Sequence, residues 1–389
     1  MLEAWLQRLV ALRTELSLCA EPAGQEARTA AVIAAFFRSH GLGQVQSAGR
    51  GNGLLVRIGG GQNHRPACRV VLRCELDALP IPDVREVSGR TIELAHSHRC
   101  GHDGHMAIVA GAGVRFFFDP VEGVDLNLLF QPSEETGTGA REVLSGGELA
   151  ALAPRLIMGL HNLPGLPLGQ VVLRPGVFAS ASCGWSARLT GRTAHAAQPE
   201  EGLPPTGAVT ALAAFLESMP QRQSALEEPL KVTVIHLRVG QPAFGTSPGE
   251  GVVMATFRAW SDDVLTKAMA RADDFAKHLA RAWGLTCEVA RHEDFPATIN
   301  DPGLTGLLGD CLARTGRPHI VREFPFPWSE DFGNYASVAP LLFFGLGSGI
   351  DCPALHHPDY VFPDALIPEG AEIIHTFLKD CFQKGERCS

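Results

Sequence analysis

The hydrophobic pattern changes period several times along the chain, and each change marks an element. Leu2, Trp5, Leu6, Leu9, Val10, Leu12 and Leu16 recur at helical spacing, with Glu3, Arg8, Arg13 and Glu15 between them, which predicts an amphipathic helix. A second helix is predicted from Gln25 to about His40, closed by Gly41 at its C-cap. Short apolar runs follow, each ending in polar or titratable residues. Val70-Val71-Leu72 leads to Arg73-Cys74-Glu75-Leu76-Asp77, and Leu126-Asn127-Leu128-Leu129-Phe130 leads to Gln131-Pro132-Ser133-Glu134-Glu135. Leu156-Ile157-Met158-Gly159-Leu160 leads to His161, and Leu341-Leu342-Phe343-Phe344 leads to Gly345 and then His356. Continuous runs of this kind suit strands buried on both faces, as in a parallel sheet. Gly104 to Phe118 reads as a helix with Asp103 as its candidate N-cap. Gly60-Gly61 and the Pro164-to-Pro167 region read as loops.

Alternating strands and helices predict an α/β fold, an open sheet with helices on both faces. Ligands of such sheets sit outside the carboxyl ends of the strands, where the His, Cys and Glu residues fall. The stretch from about Ser180 to His292 has another rhythm. Its strand-like pieces (Trp185 to Thr190, Lys231 to Val239, Val252 to Trp260) are separated by helical stretches around Pro205–Met219 and Asp263–Trp283. That order predicts an α+β sandwich, 180–292, inserted into a larger domain made of 1–179 and 293–389.

Composition narrows the function. A chain of 389 residues with 45% hydrophobic and 19% charged residues is an ordinary soluble enzyme composition with room for two or three domains. The net charge of -9, without Lys/Arg blocks, argues against nucleic acid or an anionic membrane as partner. Charges interrupt the first helix, so it lacks the apolar stretch of a signal peptide. No run approaches the ~20 apolar residues of a membrane span. The ten cysteines are scattered without paired spacing, as reduced thiols of a cytoplasmic protein would be. A small polar substrate is the expected partner.

The densest chemistry is Cys100-Gly101-His102-Asp103-Gly104-His105. Cys and His two apart in a Gly-containing turn can aim at one point, and thiolate and imidazole both ligate Zn-like divalent metals. Alone, the cluster reads equally well as a buried Cys beside a helix start with surface histidines. Glu134-Glu135 follows a buried strand. Adjacent strand carboxylates point to opposite sides, so one could ligate while the other serves as base; a solvated acidic turn is the plainer reading. His161 and His356, each at the end of an apolar segment, carry weight only in company. Taken together, Cys100, His102, Glu135, His161 and His356 would supply five protein ligands on one face of one sheet.

The motifs Leu76-Asp77-Ala78-Leu79-Pro80-Ile81, CGHDGH, FQPSEE, GLHNLP, GRTAHAAQP, SEDF (Ser329–Phe332) and LHHPDYVFPD (Leu355–Asp364) occur in that order. With them the chain, from about Glu21 to Ala371, resembles the hippurate hydrolase and auxin-conjugate hydrolase branch of the aminoacylase/carboxypeptidase metallopeptidases. The resemblance implies a zinc-peptidase-like α/β domain with an open mixed sheet, carrying an inserted α+β lid that dimerises. It implies two divalent metal ions per chain (Mn, Zn, Co or Ni) on Cys100, His102, Glu135, His161 and His356, with Glu134 as general base. Asp77 is expected to orient a ligand, and His195 to reach the partner's active site in a homodimer or higher homo-oligomer and steady the oxyanion. The implied reaction is hydrolysis of an N-acyl amino acid. A dipeptidase or carboxypeptidase of the same family, or a metal-binding module without catalysis, are the alternatives. Three positions depart from the family pattern. Glu75 stands where Asp is usual. Gly245 replaces an Asn that contacts the substrate carboxylate or reacting centre, which leaves Arg258 as the candidate anchor. Trp328 replaces a small residue and is a candidate wall of the acyl pocket or, equally, a packing residue.

Overall fold

A computed structural model of the chain describes residues 2–58, 68–87 and 89–383; the predicted loop at Gly60-Gly61 lies outside them. Two compact units emerge. The first comprises Met1–Phe178, Ile299–Phe324 and Asp331–Ser389, the second Ala179–Thr298 and Pro325–Glu330. Trp328 therefore groups with the second unit.

The first unit is built on an eight-stranded sheet in the order 44–48, 53–58, 124–131, 68–75, 156–163, 341–347, 171–173, 319–321. Strand Cys68–Glu75 runs parallel to Val124–Gln131 and to Leu156–Leu163, which in turn runs parallel to Leu341–Gly347. The strands 44–48 and 53–58 add antiparallel pairings at one side, so the sheet is mixed. Every residue of 124–131, 156–163 and 341–347 is buried, which is why these segments read as unbroken apolar runs. Val70, Leu72, Leu126, Leu128, Leu342 and Phe344 share one core with helix α1 (Leu2–Leu18), helix α2 (Ala27–Ser39), helix α3 (His102–Phe118) and the C-terminal helix Leu366–Gln383. On the opposite face Phe343 meets Phe178 and Phe332.

Helix α2 ends one residue before the predicted cap: His40 is the C-cap, and Gly41 follows it at φ +64°, with the N–H groups of Gly41 and Leu42 returning to the carbonyls of Arg38 and Phe37. Helix α3 does not begin as predicted. Gly101, not Asp103, is its N-cap; Asp103 lies inside the first turn, where its Oδ2 is 2.9 Å from Nη1 of Arg13. A carboxylate with a guanidinium within reach on another helix is drawn there instead of to its own helix end.

The second unit is a four-stranded antiparallel sheet ordered 230–239, 250–259, 181–190, 286–295. Cys183, Trp185, Ala187 and Leu189 are buried in alternation with more exposed neighbours, the period-two signature of a sheet covered on one face. Helices Thr206–Gln223 and Asp262–Ala282 supply Leu212, Leu216, Leu265 and Met269 to that core. Trp185 Nε1 donates to Asp273 Oδ1 at 2.7 Å. Among the described residues, no helix is long and apolar enough to cross a membrane.

Candidate metal centre

The carboxyl ends of three central strands and two loops deliver the titratable residues of the first unit to one place. Past the end of Cys68–Glu75, Asp77 is fully buried and Oδ2 accepts the N–H of Glu135 at 2.9 Å. Its main-chain oxygen lies 2.9 Å from Nδ1 of His102. A carbonyl can only accept, so Nδ1 carries the proton and Nε2 keeps a lone pair. That Nε2 is buried, has no hydrogen-bond partner, and lies 3.8 Å from Glu135 Oε1, which is equally without one. His161 repeats the device. Its Nδ1 donates to the Asn162 carbonyl at 2.9 Å, leaving Nε2 3.5 Å from Cys100 Sγ.

Three overlapping groups of ligand atoms each fall within 4.8 Å of one another: Cys100, His102 and His161; Cys100, Glu135 and His356; His102, Glu134 and Glu135. Six of the predicted residues thus converge. Burial lowers the His102 imidazole to about 4 and the His161 imidazole to about 3, so both are neutral near pH 7, the form that ligates. Burial, with the nearby Asp77 charge, pushes the Glu135 carboxyl up. Neutral imidazoles, a thiol, clustered carboxylates and partnerless buried ligand atoms fit divalent cations better than they fit each other.

His356 reaches the cluster from an exposed loop. It holds φ +65°, uncommon for a residue other than glycine, and its N–H bonds the Arg99 carbonyl at 2.9 Å. Glu134 and Glu135 do follow the buried strand, but strand alternation does not govern them. They sit in a turn beyond Gln131, and both carboxylates approach His102. The turn, not strand alternation, sets where the two carboxylates point.

Around the cluster, Glu75 and His105 are joined by residues to which the sequence assigns no role, Arg73, Gln131, Asn162 and Asp331. His105 Nδ1 is 2.7 Å from Glu75 Oε2 and its Nε2 is 2.6 Å from Asn162 Oδ1. Glu75 also bonds Arg73, which reaches Gln131 at 2.8 Å and Asp331 at 2.7 Å. Burial acts to raise the Glu75 carboxyl, but Arg73 and the His105 and His102 imidazoles outweigh it and hold it well below the carboxylate range. The longer side chain at 75 therefore bridges Arg73 and His105. His105 lies in the CGHDGH motif one helical turn from His102 and Asp331 in the SEDF motif, but the pairing of Asp331 with Arg73, 258 positions away, has no local signal.

The other predicted residues belong to the second unit. His195 is exposed and pairs with Thr246 in a two-stranded ribbon, its Nδ1 accepting the Ala197 N–H at 3.0 Å. Gly245 accepts the Ala196 N–H, and a Cβ built on it meets nothing within 4 Å, so no crowding demands glycine there. Arg258 donates to the Pro327 carbonyl and to Ser329 Oγ at 3.1 and 3.0 Å. Trp328 stacks on Phe326 with ring centroids 4.8 Å apart.

With fold and cluster established, the class follows. Residues 71–380 match the pattern of Peptidase family M20/M25/M40. The chain belongs to this family and is a hydrolase of amide bonds. It is 27% identical over 384 residues to N-acetyl-L-cysteine deacetylase of Bacillus subtilis (strain 168), covering 98% of this chain and 89% of that one. It is 29% identical over 327 residues to the IAA-amino acid hydrolase ILR1-like 4 of Arabidopsis thaliana, covering 80% and 72%. Its fold is that of a Bacillus subtilis dinuclear metal-binding peptidase of the M20 family, with a TM-score of 0.80 at 21% identity over 97% and 98% of the two chains.

Proposed function

We propose that the chain hydrolyses the amide bond of an N-acyl amino acid to a carboxylic acid and a free amino acid, as a member of the hippurate and auxin-conjugate hydrolase branch. The observation that carries this reading is the convergence of Cys100, His102, Glu135, His161 and His356, with both buried imidazoles in the ligating tautomer, around Glu134. These five residues would hold a pair of divalent ions. Bound there, such ions supply Lewis acidity toward the amide carbonyl and acidify water. Glu134 takes the proton of the attacking water and returns it to the departing amine. Asp77 sets His102 by its main-chain oxygen and Glu135 by its carboxylate. The names of the deacetylase and of the IAA-amino acid hydrolase support an N-acyl amino acid as substrate. His195 would complete the site of the partner in a dimer formed through the second unit, and Arg258 and Trp328 are the proposed carboxylate and acyl contacts.

The test is release of free amine from N-acetyl, N-benzoyl and longer N-acyl amino acids, with the protein loaded in turn with Mn, Zn, Co or Ni. Ion-dependent release is expected, falling by about 10²–10⁴-fold in Glu134→Gln. Release only from substrates with a free α-amine would favour a dipeptidase instead. Silence across the panel with ions bound would favour a binding module.

A further inference from the structure

The segment that presents Glu134 is held on both sides by carboxylates from distant parts of the chain. On one side Asp77 accepts the N–H of Glu135 at 2.9 Å. On the other, Glu26 Oε1 accepts the N–H of Ser133 at 2.7 Å, 107 positions away, and lies 3.2 Å from Ser133 Oγ. Ser133 is the residue before Glu134 and has φ +54°, a conformation that side chains other than glycine rarely adopt. Its carbonyl in turn accepts the Gly139 N–H at 3.1 Å, while the Glu134 carbonyl accepts the Gly137 N–H at 2.8 Å.

Glu26 has an obvious local task, and does not perform it. It occupies the N-cap position of α2 yet makes no side-chain bond to that helix. The N–H of Thr29, which a capping side chain would ordinarily satisfy, is taken instead by Glu21 Oε2 at 2.8 Å. With its helix end capped by another residue, the fully buried Glu26 carboxylate is spent on Ser133 and, at 2.8 Å, on the N–H of Gly24.

We propose that Glu26 is a positioning residue for Glu134, pinning Ser133 in its left-handed conformation so that the following side chain is delivered to the ligand cluster. This rests on Glu134 being the base. A pin on the main chain acts on geometry alone, so its loss should lower turnover and leave the ion ligands in place. Glycine at 133 adopts the same φ without a pin.

The experiment compares Glu26→Ala, Glu26→Gln, Ser133→Gly and Glu26→Ala/Ser133→Gly with Glu134→Gln as control. It reads kcat and KM on an N-acetyl amino acid, zinc bound per chain, and hydrogen exchange across 132–139. Glu26→Ala is expected to lose on the order of 10²-fold in kcat, with KM and zinc content unchanged and faster exchange at Ser133. Glu26→Gln, which keeps the acceptor oxygen, should retain most turnover, and Ser133→Gly should restore at least about tenfold to the alanine variant. Should Glu26→Ala fail to fold, Glu26→Asp, one methylene too short, is expected to show the same kcat loss. Wild-type kcat in Glu26→Ala beside an inactive Glu134→Gln overturns the inference, as does parallel loss of zinc or no gain from Ser133→Gly. Turnover retained in Glu134→Gln would remove the base assignment itself, and the positioning role with it.

Discussion

His102 and His161 each give the Nδ1 proton to a main-chain carbonyl, so two buried histidines become two lone-pair donors aimed at one point. Around them runs a second set of contacts, Arg73 to Glu75, Glu75 to His105 and His105 to Asn162, which keeps α3 and the strand bearing His161 in step. Arg73 is wholly buried between Glu75 and Asp331. Its replacement by Met should cost about 3–5 kcal/mol, because two buried carboxylates lose their counter-charge; urea unfolding measures this directly. A change under about 1 kcal/mol would mean that those carboxyls are protonated in the fold. At this scale the sequence was readable where residues cluster in one motif, as in CGHDGH and FQPSEE. The pairing of Arg73 with Gln131 and Asp331, and the diversion of Glu26 to Ser133, depend on contacts across long stretches of chain and were not.

At the scale of elements, the start of α3 is the most constrained joint. Gly101 holds φ +92°, and a Cβ there would lie 2.5 Å from Asn162 Oδ1. Gly101→Ala is therefore expected to weaken zinc binding by about tenfold or more, since it displaces both the helix carrying His102 and the residue that fixes His161; competition with a coloured chelator reads the affinity. Unchanged affinity would show that α3 can shift without disturbing its ligands. The central strands and α1, α2 and α3 were legible because uninterrupted apolar runs and helical spacing are strong local signals. The N-cap was misassigned because Asp103 is claimed by Arg13, a tertiary competitor invisible in the local pattern. The antiparallel strand 44–48 is largely exposed and offers no apolar run to read, whereas 53–58 carries a buried Leu54-Leu55-Val56 run that the sequence does display.

At the scale of the molecule, each unit carries its own electrostatics. In the second, burial acts to raise the Asp273 carboxyl, but hydrogen bonds from Arg291 and Trp185 prevail and hold it below its ordinary value. A carboxyl lowered in the fold adds stability that is complete above the unfolded pKa of about 3.9 and disappears as the pH falls through the native value. Asp273→Asn should accordingly lower the melting temperature at pH 7, and the gap to wild type should close below about pH 3. A gap that persists in acid would assign the effect to packing of Trp185 instead of charge. The second unit gathers Ala179–Thr298 together with Pro325–Glu330, which joins it from a remote part of the chain.

The central claim is that one cluster binds the ions and Glu134 moves the proton. Elemental analysis of bound metal, run alongside amine release on the same samples of wild type and Glu134→Gln, tests it most directly. Two ions per chain in both proteins, with turnover in the wild type alone, is the predicted result. Loss of the ions in Glu134→Gln, or equal turnover in the two proteins, would contradict it.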